Sequence, residues 1–231
     1  MRAILLAAGF GTRLLPLTKH LPKCLVRIND KPLLGIWIDK IIDSGLGPVL
    51  INTHYLSGAV VDFTEHNVHN KQLNTVYEQE LLGTAGTLIK NINFYQGKDG
   101  LLIHADNYCL DNLSILIKAH KNRPSGCLMT MMTFRTDQPS CCGIVEIDKR
   151  GVVIGFHEKI DSPPGNLANG AVYVLSKEML TWLCKERSTA TDFSREVLPQ
   201  LLGRIFTYET NNVFIDIGNI ENLEKANKTS F

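Results

Sequence analysis

The feature that most constrains this chain is an alternation of short, wholly apolar runs with longer stretches of helical period. Arg2 to Ala7 is a nearly continuous apolar run that stops at Gly9, and it lacks the polar face a half-exposed strand would carry. Such a run reads as a strand buried on both sides. Pro48–Asn52, Asn74–Glu78 and Leu101–His104 read as further strands. Between them, Leu33–Asp43 carries Leu34, Trp37, Ile38, Ile41 and Ile42 on one stripe, with Gly45 where a helix C-terminal cap belongs. Leu56–His66, Thr84–Asn93 and Leu113–His120 read as helices, and Gly126–Phe134 as a long strand. Strands that alternate with helices pair in parallel through crossovers. The predicted fold class is therefore α/β, with a single Rossmann-like, mostly parallel central sheet and helices on both faces.

After Asp137 the pattern changes. Short strands at Gly143–Ile147, Val152–His157 and Ala171–Leu175 are joined by turns at Asp148–Gly151 and Ser162–Gly165. Helices follow at Lys177–Arg187 and Phe193–Leu202, then strands at Ile205–Tyr208 and Val213–Ile215, and a last helix at Ile220–Ala226. With no repeat and no linker, this reads as one domain with a smaller second lobe built onto the sheet. Composition excludes several classes. At 231 residues and 44% hydrophobic the chain buries a substantial core, which rules out disorder. A formal charge of +1 gives no reason to expect nucleic-acid or membrane-surface binding, and no apolar run approaches the roughly 20 residues of a membrane span. Met1–Ala8 is too short for a signal-peptide core, so a cytoplasmic location is expected. The six cysteines contain no C-x-x-C and read as free thiols.

Ligands of parallel α/β sheets bind beyond the carboxyl ends of the strands, and three strand ends here carry unusual residues. Ala8-Gly9-Phe10-Gly11-Thr12-Arg13 follows the first strand, and Pro22-Lys23 follows that loop. Glycines there let backbone N–H groups approach a phosphate. Leu14 stands where a dinucleotide fingerprint needs glycine, and no Gly-Lys-Ser/Thr occurs, so neither the Rossmann nor the Walker loop is matched. Arg13 and Lys23 suit a triphosphate, although a glycine turn with two solvated cations reads the same way. Asp106, at the tip of the fourth strand, is a natural oxygen ligand for Mg²⁺ or an ordinary turn aspartate. Asp216, between Ile215 and Ile217, could join it on one metal from 110 residues away.

These residues resemble the signature of the sugar-1-phosphate nucleotidyltransferases, in which Gly-x-Gly-Thr-Arg-Leu-x-Pro-Leu-Thr precedes Pro-Lys. The likeness continues at Leu82–Gly86, Asp106-Asn107, Cys142–Glu146, Phe156–Lys159, Asn169–Tyr173 and Asp216–Gly218, with Asn219 standing where the family usually has Thr. The short chain looks like a stand-alone catalytic domain, nucleotide-binding over about 1–135 and sugar-phosphate-binding over about 136–231. The resemblance implies transfer of a nucleotidyl group from a nucleoside triphosphate to a sugar 1-phosphate, with Mg²⁺ as cofactor. It implies catalytic roles for Arg13 and Lys23, and metal binding by Asp106 and Asp216. Ala8, Gly9, Gly11, Thr12, Gly83 and Thr84 would hold the nucleotide. Asn107, Gly143, Glu158, Lys159 and Asn169 would hold the sugar phosphate, with Lys159 as its clamp. Oligomeric state stays open, a homodimer being one option.

Glu78 lies five residues before Gly83, where relatives that use uridine or thymidine nucleotides carry a base-reading Gln. A carboxylate can accept hydrogen bonds from N1–H and the exocyclic amine of guanine, whereas it would meet a carbonyl on uracil or thymine. GTP is therefore the expected donor and a mannose- or heptose-type sugar 1-phosphate the expected acceptor. The competing readings are a solvated strand-end Glu78, a uridylyl-, thymidylyl- or cytidylyltransferase, and a noncatalytic nucleotide-sugar-binding regulator. A glycosyltransferase would want Asp-x-Asp at its metal, which the chain lacks.

Overall fold

The computed structural model describes residues 1–229. In chain order the elements are β1 (Arg2–Leu6), β2 (Arg27–Ile28), β3 (Lys31–Pro32), α1 (Leu33–Asp43), β4 (Val49–Thr53), α2 (Ser57–Glu65), β5 (Leu73–Tyr77), α3 (Gly83–Lys90), β6 (Gly100–His104) and β7 (Asn107–Cys109). They continue with α4 (Leu113–Lys121), β8 (Met129–Arg135), β9 (Gly143–Ile147), β10 (Val153–Glu158), β11 (Leu167–Leu175), α5 (Lys177–Glu186), β12 (Ile205–Glu209), β13 (Phe214–Asp216) and α6 (Ile220–Asn227). The chain divides into two compact units. Unit 1 holds Met1–Leu81, Ile103–Asn112 and the chain from Asn212 onward; unit 2 holds Leu82–Leu102 and Leu113–Asn211.

Unit 1 carries the expected parallel sheet. β4 pairs with β1 from Ala3↔Val49 to Leu6↔Asn52, and with β5 from Val49↔Leu73 to Thr53↔Tyr77. Every residue of β4 is buried, as an unbroken apolar strand requires. Helix α1 packs Leu33, Leu34, Trp37, Ile38 and Ile41 into the core, and the Trp37 indole N–H donates to the Asn107 carbonyl at 2.7 Å. It ends where Gly45 allowed: Gly45 takes φ +70°, its N–H donates to the Ile42 carbonyl, and the Leu46 N–H donates to the Ile41 carbonyl. Because the three strands run parallel, their carboxyl ends place Ala7, Asn52 and Glu78 in one row. β7 and β13 form a separate antiparallel ribbon in the same unit, with Asp216 opposite Asn107.

Unit 2 is built differently. β11 pairs antiparallel with β8 and β9, β9 pairs antiparallel with β10, and β12 runs parallel to β8. The β9–β10 turn is held by Asp148, whose Oδ1 accepts from the Arg150 and Val152 amides, while Gly151 takes φ +74°. Met129, Met131 and Met132 are all fully buried as core packing. The Ser176 hydroxyl caps α5 by accepting from the Met179 amide at 3.1 Å.

Two expectations of local structure are corrected. Phe193–Leu202 is not one helix but a π-helical turn, Phe193–Val197, followed by a 3₁₀ turn, Leu198–Leu201. Pro199 supplies no amide hydrogen, so a regular helix cannot run through it undisturbed. The helix expected over Thr84–Asn93 stops at Lys90 and gives way to a 3₁₀ turn at Ile92–Tyr95. Strand β7 is too short, at three residues, to show a period in the sequence. No helix among the described residues is long and apolar enough to cross a membrane.

Candidate active site

Unit 1 gathers the first group of expected site residues around Lys23. Gly11 takes a left-handed backbone (φ +65°), and its carbonyl accepts from the Leu14 amide and from the Thr18 hydroxyl at 2.8 Å. A Cβ at Gly11 would lie 2.9 Å from the Lys23 Cβ. The glycine therefore lets the loop close on the lysine's stem as well as leaving its amides accessible. Ala8 is buried at the end of β1, whereas Gly9, Thr12 and Arg13 are exposed.

Lys23 reaches two acids that lie far away in sequence. Its Nζ stands 2.7 Å from Asp106 Oδ2 and 3.9 Å from Asp216 Oδ1. The β7–β13 ribbon explains the meeting: its register sets Asp216 opposite Asn107, and the Ile217 amide donates to the Asp106 carbonyl at 3.0 Å. Asp106 follows β6 and Asp216 ends β13, so both carboxylates sit on short, hydrogen-bonded supports. Burial alone would raise the Asp106 carboxyl, but the Lys23 ammonium, with His104 adding to it, holds it below the usual carboxylate range. Arg13 joins the group through Gly218. A Cβ there would lie 3.0 Å from Arg13 Nη1 and 3.1 Å from Asp216 Oδ2, so glycine lets both side chain ends approach the backbone closely. Asn107 is buried beside them, and its amide donates to the His104 carbonyl at 3.4 Å.

Two carboxylates are a hard-oxygen donor set that fits Mg²⁺, a cation usually held by one or two carboxylates with the rest of its shell from water and substrate phosphate. Among the described residues no three His, Cys, Asp or Glu side chains form a metal cluster, so a full protein cage is not offered.

Glu78 follows β5 and is 1% exposed, which removes the reading of a solvated strand-end residue. Its carboxylate Oε1 accepts from Asn52 Nδ2 at 3.1 Å, and Asn52 Oδ1 accepts from the Ala7 amide at 2.7 Å. Its backbone is held as well: the Glu78 amide donates to the Thr53 carbonyl, and His54 Nδ1–H donates to the Glu78 carbonyl, each at 2.8 Å. Phe10, on the glycine loop, packs edge-on against His54 with centroids 5.5 Å apart. The sequence does not single out Asn52, and it reads His54 as a structural or exposed histidine. An Asn closing a wholly apolar run was the available signal.

Unit 2 holds the other group. Glu158 lies opposite Gly143 in the β9–β10 register, and a Cβ at Gly143 would lie 2.6 Å from Glu158 Oε2 and 2.8 Å from the Phe156 ring. Burial raises the Glu158 carboxyl; Lys159 opposes this, Asp192 adds to it and Arg195 opposes it. Lys159 Nζ lies 3.7 Å from Glu158 Oε1, and Lys159 itself takes a left-handed backbone (φ +52°), an uncommon conformation for a residue with a Cβ. Asn169 sits at an irregularity in β11, where it donates from Nδ2 to the Tyr173 hydroxyl at 2.7 Å and accepts from the Ala171 amide at 2.9 Å. Gly83 opens α3 with φ +74°, and a Cβ there would lie 2.3 Å from the Thr191 carbonyl oxygen. The Thr84 hydroxyl accepts from the Phe193 amide at 2.8 Å, so both residues fasten the 191–193 segment. Asp192 and Arg195, which act on Glu158 from that segment, were not foreseen. Asp192 caps the π-helical turn by accepting from the Arg195 amide, and the helix expected over Phe193–Leu202 hid that turn.

A family model described as "Nucleotidyl transferase" matches residues 2–230. The chain belongs to the nucleotidyl transferase family. Its curated relatives include D-glycero-alpha-D-manno-heptose 1-phosphate guanylyltransferase of Campylobacter jejuni, 28% identical over 219 residues that cover 94% of this chain and 95% of that protein. Mannose-1-phosphate guanylyltransferase catalytic subunit beta of Drosophila melanogaster is 28% identical over 225 residues, and there the match spans 94% of this chain but 59% of the relative. Several of the longer relatives are likewise matched over only about three fifths of their length. Among solved structures, HddC from Yersinia pseudotuberculosis complexed with GMP-PN superposes with a TM-score of 0.81 at 25% identity, each chain being 98% covered. A Bacillus anthracis protein named as a glucose-1-phosphate thymidylyltransferase gives a TM-score of 0.86 at 19% identity, covering 100% of this chain and 97% of that one; this likeness shows the fold alone. The nucleotidyl transferase chain thus has the α/β, Rossmann-like fold its sequence pattern predicted.

Proposed function

We propose that this nucleotidyl transferase is a Mg²⁺-dependent sugar-1-phosphate guanylyltransferase. It would take GTP and a mannose- or heptose-type sugar 1-phosphate and yield the nucleotide-sugar and pyrophosphate. The observation that carries the reading is Lys23 between Asp106 and Asp216 with Arg13 beside them, a cluster with the charges that phosphoryl chemistry requires. The buried Glu78 supports guanine, as do the guanylyltransferase relatives and the neighbour complexed with GMP-PN.

The reaction is an in-line displacement. A phosphate oxygen of the sugar 1-phosphate attacks the α-phosphorus of GTP, a new P–O bond forms, and the bond to the β-phosphate oxygen breaks as pyrophosphate leaves. Such transfer depends on positioning and charge neutralisation more than on covalent catalysis. In this reading Ala8, Gly9, Gly11 and Thr12 offer backbone amides to the triphosphate, with Gly83 and Thr84 supporting the nucleotide. Lys23 sits by the reacting phosphate and Arg13 stabilises the leaving pyrophosphate. Asp106 and Asp216 hold Mg²⁺, which when bound supplies positive charge to the phosphate oxygens. Lys159 clamps the sugar phosphate, and Glu158, Asn169, Gly143 and Asn107 contact the sugar end. Glu158, its carboxyl raised by burial, is suited to hydrogen-bond sugar hydroxyls.

The test is pyrophosphate release with Mg²⁺ from GTP, UTP, dTTP, CTP and ATP, each against mannose, heptose and glucose 1-phosphates. GTP with a mannose- or heptose-type acceptor is expected to give the highest kcat/KM. Release from UTP or dTTP in preference would overturn the guanylyl assignment. Silence across the panel from folded protein that binds GTP would point to the regulator instead.

A further inference from the structure

The segment Ala8–His20 holds its shape with 3₁₀ turns and no strand or long helix. Its internal bonds are few and short-range. The Leu14, Leu15 and Lys19 amides donate to the Gly11, Thr12 and Pro16 carbonyls, and the Thr18 hydroxyl donates to the Gly11 carbonyl. Tyr55 ties this loop to the sheet. Its hydroxyl stands 3.1 Å from both the Thr18 and the Lys19 carbonyl oxygens, and it gives its single proton to one or shares it between them. The Tyr55 ring lies 5.6 Å from the Phe10 ring, which meets His54 on its other contact. Phe10 is 47% exposed, so neighbouring rings hold it where burial does not. Two consecutive residues, His54 and Tyr55, thus grip the loop near both of its ends. They stand on a firm support: β4 ends at Thr53 in register with Tyr77, the Thr53 carbonyl accepts from the Glu78 amide, and His54 donates to the Glu78 carbonyl.

We propose that Tyr55 is a positioning residue that latches the Gly9–Arg13 loop in the conformation that receives the triphosphate, with Phe10 as the loop's half of the latch. The inference rests on the reading of that loop as the triphosphate cradle. A loop latched before the ligand arrives has already met the cost of ordering its amides. Tyr55 acts through the loop, so its effect falls on the phosphates common to every nucleoside triphosphate. Base preference and the sugar 1-phosphate are left alone.

Limited trypsin digestion reads the latch without reference to activity, because Arg13 and Lys19 are exposed and lie in the loop. Wild type and Tyr55→Phe are digested alone, with Mg²⁺ and GMP, and with Mg²⁺ and GTP, and cleavage after Arg13 and Lys19 is followed by mass spectrometry. Without nucleotide, Tyr55→Phe should be cut at these two sites about 2- to 10-fold faster, the range for one lost hydrogen bond, with other sites unchanged. In wild type, GTP should protect both sites more than GMP does. In turnover, kcat/KM for GTP and for UTP should fall by the same factor of about 2 to 10, leaving the GTP:UTP ratio and KM for the sugar 1-phosphate at wild-type values. Equal cleavage of the two proteins at Arg13 and Lys19 overturns the latch alone. Equal protection of wild type by GTP and GMP overturns the reading of the loop as the triphosphate cradle. Faster cleavage throughout the chain, or a shifted GTP:UTP ratio, overturns the positioning role. If Tyr55→Phe does not fold, Phe10→Leu takes its place; loss of the ring contacts should speed cleavage after Arg13 about 2- to 10-fold, and an unchanged rate overturns the inference.

Discussion

Replacing Lys23 by Met keeps the stem that packs under Gly11 and removes the charge from between two carboxylates. The Lys23 side chain is 11% exposed, while those of Asp106 and Asp216 are each 40% exposed. Removing one partner of a fully buried ion pair costs about 3–5 kcal/mol, because the charge left behind is neither solvated nor matched. Here water reaches the two acids and screens them, so the expected loss is about 1–3 kcal/mol. For a chain of this length that lowers the melting temperature by about 2–12 °C. The assay is a melt of both proteins in EDTA and again in Mg²⁺. In EDTA, Lys23→Met should melt lower by the stated amount. In Mg²⁺ most of that difference should vanish, because the cation supplies the missing charge to Asp106 and Asp216. Equal melting of the two proteins in EDTA would refute the counter-charge role of Lys23. An equal deficit in EDTA and Mg²⁺ would refute metal binding by the two acids.

Other outcomes follow from the same geometry. Asp106→Asn and Asp216→Asn should each cut kcat by about 100-fold or more while leaving the fold intact; near-normal turnover at saturating Mg²⁺ in either variant would remove that residue from the metal site. Gly143→Ala should push Glu158 and Phe156 aside and raise KM for the sugar phosphate by about 10-fold with KM for GTP unchanged; steady-state kinetics that moved both KM values alike would contradict the assignment. Lys159→Gly relieves a left-handed backbone worth about 1 kcal/mol and should raise stability in urea while lowering kcat/KM for the sugar phosphate; unchanged kinetics would refute the clamp. His120 is buried, and burial, with Arg123 adding to it, lowers its pKa from 6.5 to about 4. The unfolded chain then binds the extra proton between those values, so stability is flat above about pH 6.5 and falls as pH drops toward 4. At pH 5 the loss is about 2 kcal/mol relative to pH 7.5, read as the difference between wild type and His120→Leu in urea unfolding; identical pH profiles would exclude it.

The sequence by itself determined the parallel half of the fold and singled out the candidate residues of the site. Strands β1 and β4 and helix α1 were legible because burial on both faces, or along one stripe, leaves an unbroken or 3.6-periodic apolar pattern. Gly45 marked the end of α1 because few other residues take its left-handed conformation without strain. The glycine loop and its cations were legible as a motif, and the family likeness supplied roles that spacing could not. Tertiary structure alone decided the rest. Asp106 and Asp216 meet because a three-residue ribbon sets one register, and pairing across about a hundred residues leaves no local trace. The turns at Phe193–Leu201 depend on Asp192 and Pro199 as much as on apolar spacing, so periodicity misread them as one helix. In the sequence Glu78 reads as a base contact, with a solvated strand-end residue as the competing reading. Parallel pairing of β1, β4 and β5 brings the Ala7 amide, Asn52 and Glu78 into one hydrogen-bonded row, and Glu78 is buried only when those three distant segments pack.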